Sequence, residues 1–203
     1  MRNVLSLAYP FSGTWLVQNS PANRVPSHGT SSFATSHAID FVPLSETGRS
    51  APITLRSLVR PEPPESFPGF GREILSPREG TIVAMRDDEP DHSAYRGLPS
   101  VGYALAQGRR AAGGWPALAG NYILMDVGGV IVALCHLRQH SVRARPGQAV
   151  RSGEVLAACG NSGNSTEPHL HLQAMDGPDA LRAAAVPIVF DGALPANGEI
   201  VSA

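Results

Sequence analysis

The chain has 203 residues, 42% of them hydrophobic, with 16 basic and 17 acidic side chains and a net charge of −1. That balance gives no electrostatic case for a nucleic-acid or anionic-membrane partner. Every basic residue is arginine, so Schiff-base and lysine-base chemistry are excluded.

The length fits one domain spanning residues 1–203, with enough chain to bury a core. Met1 to Pro10 shows no apolar run of signal-peptide length, and no segment approaches the roughly 20 apolar residues that cross a bilayer. A soluble monomer with no visible export signal or transmembrane segment is expected, and localisation is left open. Cys135 and Cys159 lie in apolar runs outside any Cys-x-x-Cys pair. Two buried free thiols are expected rather than a disulfide or a zinc knuckle.

Short apolar runs bounded by Gly, Pro, Asn and Ser predict strands at 15–17, 38–42, 80–85, 121–127, 129–134, 155–158 and 169–173. Asp126-Val127-Gly128-Gly129 predicts a hairpin turn, because glycine allows positive φ. Short helical turns are expected within 109–118 and 180–185. Segments 60–70 and 87–119 are rich in Pro, Gly and charge and read as long loop insertions. The predicted class is all-β: an antiparallel sandwich or partly closed barrel with decorated loops.

The chemistry concentrates at Pro168-His169-Leu170-His171-Leu172, which follows the Gly/Ser/Asn run 160–165. Residues two apart on a strand share a face, so His169 and His171 present two imidazoles together while Leu170 and Leu172 face a core. Imidazole is a favoured zinc ligand and the commonest acid/base group near neutral pH. Asp40 lies between Ile39 and Phe41, where an unpaired carboxylate is costly, which makes it the natural carboxylate partner for a metal. His136 ends the apolar run 131–135 and gains weight only beside the others.

These residues resemble the M23 family of zinc metallopeptidases, the lysostaphin and LytM-like type. The matching segments are Pro77 to Ala84, Ala133-Leu134-Cys135-His136-Leu137, Val142 to Leu156, and Cys159 to Leu172 with its Pro-His-Leu-His turn. The resemblance runs from about Ser27 to Gln173 and is interrupted between Asp87 and Gly120. It implies the duplicated hybrid motif type of β fold. It also implies one Zn2+ held by an upstream histidine, Asp40 and His171, with His136 and His169 flanking a metal-activated water as general base and oxyanion stabiliser. The implied activity is a zinc-dependent endopeptidase hydrolysing peptide bonds in peptidoglycan stems or cross-links. Cell-envelope or secreted proteins are the usual setting of that family.

The first ligand departs from the family pattern. Many members carry a histidine four residues before the aspartate, and that position here is Ser36. A subgroup uses a Ser-His-Gly histidine, which points to His28, with His37 as the alternative. His92 and His140 read as surface residues. Glu167 and Asn164 are expected to set loop geometry, and Arg138 to contact a substrate carboxylate. Two other functions compete: an inactive relative serving as a binding or activator module, and a histidine phosphocarrier with a related β fold.

Overall fold

A computed structural model describes residues 4–51, 55–105 and 112–203. The fold is mostly β. Its strands are β1 (Leu5–Leu7), β2 (Thr14–Gln18), β3 (Ile39–Pro43), β4 (Glu73–Leu75), β5 (Gly80–Arg86) and β6 (Asn121–Asp126). They continue with β7 (Ile131–Leu137), β8 (Ala149–Val150), β9 (Val155–Ala158), β10 (Leu170–Met175), β11 (Ile188–Phe190) and β12 (Ile200–Ser202). One eight-stranded antiparallel sheet runs in the order β12-β2-β3-β10-β7-β6-β5-β8, and among the described residues it does not close into a barrel.

Alternation along the central strands sorts side chains onto two faces. On one face, Ile39, Phe41, Val132, Leu134, Leu170 and Leu172 join the main apolar core. That core is closed by two small sheets, β4-β9 and β1-β11, through Ile74, Leu156, Leu7 and Phe190. Phe11 stacks on Trp15 at 4.3 Å and meets Phe41 edge-on at 5.0 Å, so large rings fill the space between the layers. On the other face, Leu124, Ile131, Ala133, Cys135 and Met175 form a second, smaller cluster, with Phe33 and Trp115 packed against it. Asp40, placed between Ile39 and Phe41, must point to this second face.

Both cysteines are free and buried, as composition suggests, and they occupy the two different apolar clusters. Burial pushes both thiols well above the ordinary cysteine range. The predicted hairpin forms at 126–129: Gly128 and Gly129 take φ +89, and the Gly129 N–H donates to Asp126 Oδ1 at 2.6 Å.

The insertions hold more structure than their composition suggests. Helices α1 (Leu55–Val59), α2 (Leu98–Leu105) and α3 (Gly114–Ala119) lie in or beside them, and Glu62 pairs with Ala94 in an isolated bridge. Part of the helical turn expected within 109–118 falls on 109–111, outside the described residues; the remainder is α3. No helix among the described residues is long and apolar enough to cross a membrane.

Candidate metal centre

Three adjacent central strands carry the polar cluster. β3 supplies Asp40, β10 supplies His171, and the two residues are direct cross-strand partners. On the other side of β10, His171 pairs with Cys135 of β7. His169 stands one residue before β10 and lines the same cavity as His171. The fourth imidazole, His28, arrives from the loop between β2 and β3. The structure brings His28, rather than His37, to the carboxylate: His28 Nε2 lies 3.1 Å from Asp40 Oδ2.

His136 reaches the site through a backbone irregularity. It is the extra residue of a bulge in β7: Leu137 pairs with Asn121 and Cys135 with Tyr122, and His136 has no partner between them. Its φ is +61, a conformation that costs a non-glycine residue about 1–2 kcal/mol. The bulge resets the alternation. Cys135 and His136 both line the cavity, while Leu137 returns to the main core. Without it, His136 would point into hydrocarbon.

Hydrogen bonds fix which nitrogen each ring presents. Ser27 donates its hydroxyl to Thr35 O at 3.1 Å, so its oxygen is left to accept from His28 Nδ1–H at 3.0 Å. Gln173, fully buried, donates its amide to Phe33 O at 2.9 Å, so its oxygen accepts from His171 Nε2–H at 3.0 Å. The remaining nitrogens, His28 Nε2 and His171 Nδ1, then turn lone pairs toward Asp40 at 3.1 and 2.9 Å. Neutral acceptors facing acceptors at such distances call for positive charge between them, supplied either by protons on the rings or by a bound cation. A single shared cation meets that requirement, and the ligand atoms of His28, Asp40 and His171 lie within 4.8 Å of one another. Two imidazoles and a carboxylate match a catalytic zinc donor set, which leaves a fourth position open. The residues fit the metal.

The Asp40 carboxyl is buried, which alone would raise its pKa. When the rings carry protons, the charges of His28 and His169 and hydrogen bonds donated by His171 and His28 instead hold it well below the usual carboxylate range. Asn19 adds a donor, its amide reaching Asp40 Oδ2 at 2.7 Å. His136 and His169 are arranged differently. His136 Nδ1–H donates to Ser162 O at 2.9 Å and His169 Nδ1–H to Glu167 O at 2.8 Å, so each turns Nε2 inward. Their ring centroids are 4.7 Å apart. Burial, reinforced by the neighbouring His169 and His171 rings, keeps His136 well below the ordinary histidine range and therefore neutral.

The Gly/Ser/Asn run acts as a clamp. Asp91 accepts from the Asn161 N–H at 2.6 Å and the Gln139 N–H at 3.0 Å, tying residues 160–161 to the end of β7. A Cβ at Gly160 would strike the Arg138 backbone and the Asp91 carboxylate, so only glycine allows the close approach. The clamp sets Ser162 O, and through it His136.

The cavity around these groups measures about 470 Å³. Phe33, Trp115, Leu118 and Ala119 give it an apolar wall; Asn19, Arg24, Asn164 and Thr166 also line it. The loop 19–35 lines the cavity, and residues 60–70 do not. Two side chains depart from their expected places. Arg138 is directed elsewhere, with its guanidinium 5.0 Å above the Phe70 ring. His92 is no simple surface residue: it is partly buried, its two ring nitrogens 2.9 Å from Ser93 O and Gly163 O. Glu167 sets loop geometry as expected: its backbone carbonyl accepts from His169 and Ser165, and its carboxylate from Ser50. Asn19, Ser27 and Gln173 escape the sequence reading. Gln173 carries a signal there, since it stands two residues beyond His171 on the same strand face, and Ser27 is the serine of the Ser-His-Gly motif.

Gln173 offers a test of this geometry. Gln173→Leu fills similar space but removes the acceptor for His171 and the donor to Phe33 O. Zinc affinity, measured by competition with a chelating dye, is expected to fall by about 10–100-fold. Unchanged affinity would show that the amide does not orient the ring.

Among families, the model for peptidase family M23 matches residues 91–183, a segment that includes His136, His169 and His171. Similar solved structures include the catalytic domain of lysostaphin from Staphylococcus simulans, at 16% identity over 73% of each chain with a TM-score of 0.39. A mutant catalytic domain of the prophage-encoded M23 protein EnpA from Enterococcus faecalis matches at 15% identity over 75% of each chain, TM-score 0.39. A zinc-containing peptidase from Vibrio cholerae matches at 18% identity over 73% of this chain and 48% of its own, TM-score 0.36.

Proposed function

We propose, from the M23 peptidase segment at residues 91–183, that this chain is a zinc-dependent endopeptidase acting on short peptides of the peptidoglycan stem or cross-link type. The observation that carries the reading is the convergence of two imidazole lone pairs on the buried Asp40 carboxylate, beside two further imidazoles that are not part of that triad. His28, Asp40 and His171 are the ligands in this reading. Bound there, zinc supplies Lewis acidity, lowering the pKa of water to about 7 and polarising the scissile carbonyl.

The remaining chemistry belongs to His136 and His169. Each is anchored at Nδ1 and offers Nε2 to the cavity. One Nε2 accepts a proton from the attacking water and later passes it to the leaving amine. The other takes a proton from solvent at Nε2 and donates it in a hydrogen bond to the oxygen that gains charge as the carbonyl becomes tetrahedral. The apolar wall of Phe33, Trp115 and Leu118 holds the peptide and excludes bulk water.

Metal removal tests the reading. Purified protein is expected to hold about one zinc per chain, to lose peptide cleavage on dialysis against chelator, and to regain it with zinc. Bound zinc without cleavage of any cell-wall peptide would favour a binding module. Phosphohistidine formation without metal would favour a phosphocarrier.

A further inference from the structure

The cavity holds a charged group that the proposed chemistry leaves unused. Arg24 and Asp40 are the residues of fixed charge among those lining it. Asp40 is enclosed by Asn19, His28 and His171. Arg24 is exposed, yet it is anchored: its Nε–H donates to Ser27 O at 3.1 Å. The hydroxyl of the same Ser27 accepts from His28 Nδ1–H, so Arg24 is fixed beside the ring that faces Asp40. Three other arginines are committed to carboxylates, Arg86 to Asp88 and Glu89, Arg96 to Glu62, and Arg182 to Asp179. Among the described residues, no carboxylate pairs with Arg24.

With Nε committed, the two terminal nitrogens form a fork whose geometry suits a carboxylate. The electrostatics agree. A divalent cation at the triad outweighs the single charge of Asp40, and Arg24 adds to the excess, so the cavity favours an anionic ligand. We propose that Arg24 binds a substrate carboxylate, and that this site takes a peptide bearing a free carboxylate within the few residues the cavity holds. This rests on the peptidase reading above and adds the substrate's charge to it.

The test compares a stem-type peptide carrying free carboxylates with its fully amidated form, on zinc-loaded wild type and on Arg24→Gln. The acid peptide is expected to be preferred by wild type, and Arg24→Gln to raise its KM about tenfold with kcat and zinc content little changed. The amide should be indifferent to the substitution. Equal losses on both peptides, or none on either, would overturn the proposal and leave Arg24 as a brace for Ser27.

A binding arm separates failure of this inference from failure of the peptidase reading. Trp15 is fully buried and Trp115 lines the cavity, so quenching of tryptophan emission reports occupancy. Zinc-loaded His169→Ala is titrated with both peptides. Tighter binding of the acid form, abolished by adding Arg24→Gln, supports carboxylate recognition even if neither peptide is ever cleaved. Equal binding of the two forms, or binding of neither, contradicts it.

Discussion

Replacing His171 with alanine, or Asp40 with asparagine, is expected to strip the protein of its metal and bring peptide cleavage down to the background of chelator-treated enzyme. The expectation follows from how little redundancy the cluster has. Three protein ligands leave one coordination position for water, and a site reduced to two protein ligands lacks the donor set of a catalytic zinc. Asp40→Asn is the sharper variant. It keeps the volume and can still hydrogen-bond, but removes the charge that two imidazole lone pairs converge upon. The measurement is zinc per chain after gel filtration, beside cleavage and a thermal melt. Retained zinc in either variant would move the ligand set elsewhere. A collapsed melt in His171→Ala is distinguishable, because Asp40→Asn leaves the apolar face of β3 untouched.

His136 and His169 should behave in the opposite way. His169→Ala is expected to keep the metal and lose about 10²–10⁴ in kcat, the usual contribution of a positioned acid/base group. The same loss is expected for His136→Ala and His136→Gly, again with zinc retained. These two differ in stability. At φ +61, glycine avoids the steric cost that alanine bears, so His136→Gly should be the more stable by about 1 kcal/mol, less whatever glycine gives up in chain entropy. Zinc loss from His169→Ala would mean that the roles of His169 and His171 are exchanged. An alanine variant at 136 more stable than the glycine variant would mean that the bulge relaxes when the ring is gone.

Much of this architecture can be read from the chain. The strands at 38–42, 80–85, 121–127 and 169–173 announce themselves as apolar runs between turn residues, and they become β3, β5, β6 and β10 with small changes of boundary. The Pro-His-Leu-His turn fixes which residues share a face, because a two-residue period leaves no alternative. Edge strands such as β1, β8, β11 and β12 are only two or three residues long, too short for any periodicity to show. The parallel pairing of β1 with β11 joins residues more than 180 positions apart and has no local signature.

The site divides along the same line. His169 and His171 are legible because strand geometry alone pairs them. His136 is less so: alternation sends the residue after Cys135 into the main core, and only the bulge with its positive φ turns the ring toward Asp40. His37 stands three residues before Asp40 and His28 twelve, so distance along the chain alone favours His37. The choice between them is made by the fold of loop 26–37, where Ser27 N–H donates to Ser36 O at 3.0 Å and Phe33 and Ala34 both adopt left-handed backbone. Asn19 reaches Asp40 across 21 positions and Gln173 reaches Phe33 across 140. Such partners are properties of the assembled sheet.

The most direct test is a crystal structure of the zinc-loaded protein with anomalous data at the zinc edge. One peak is expected between His28 Nε2, Asp40 and His171 Nδ1, at about 2.0–2.2 Å from each donor, with His136 and His169 outside bonding distance. A peak held by His37, or by the His136–His169 pair, would contradict the account.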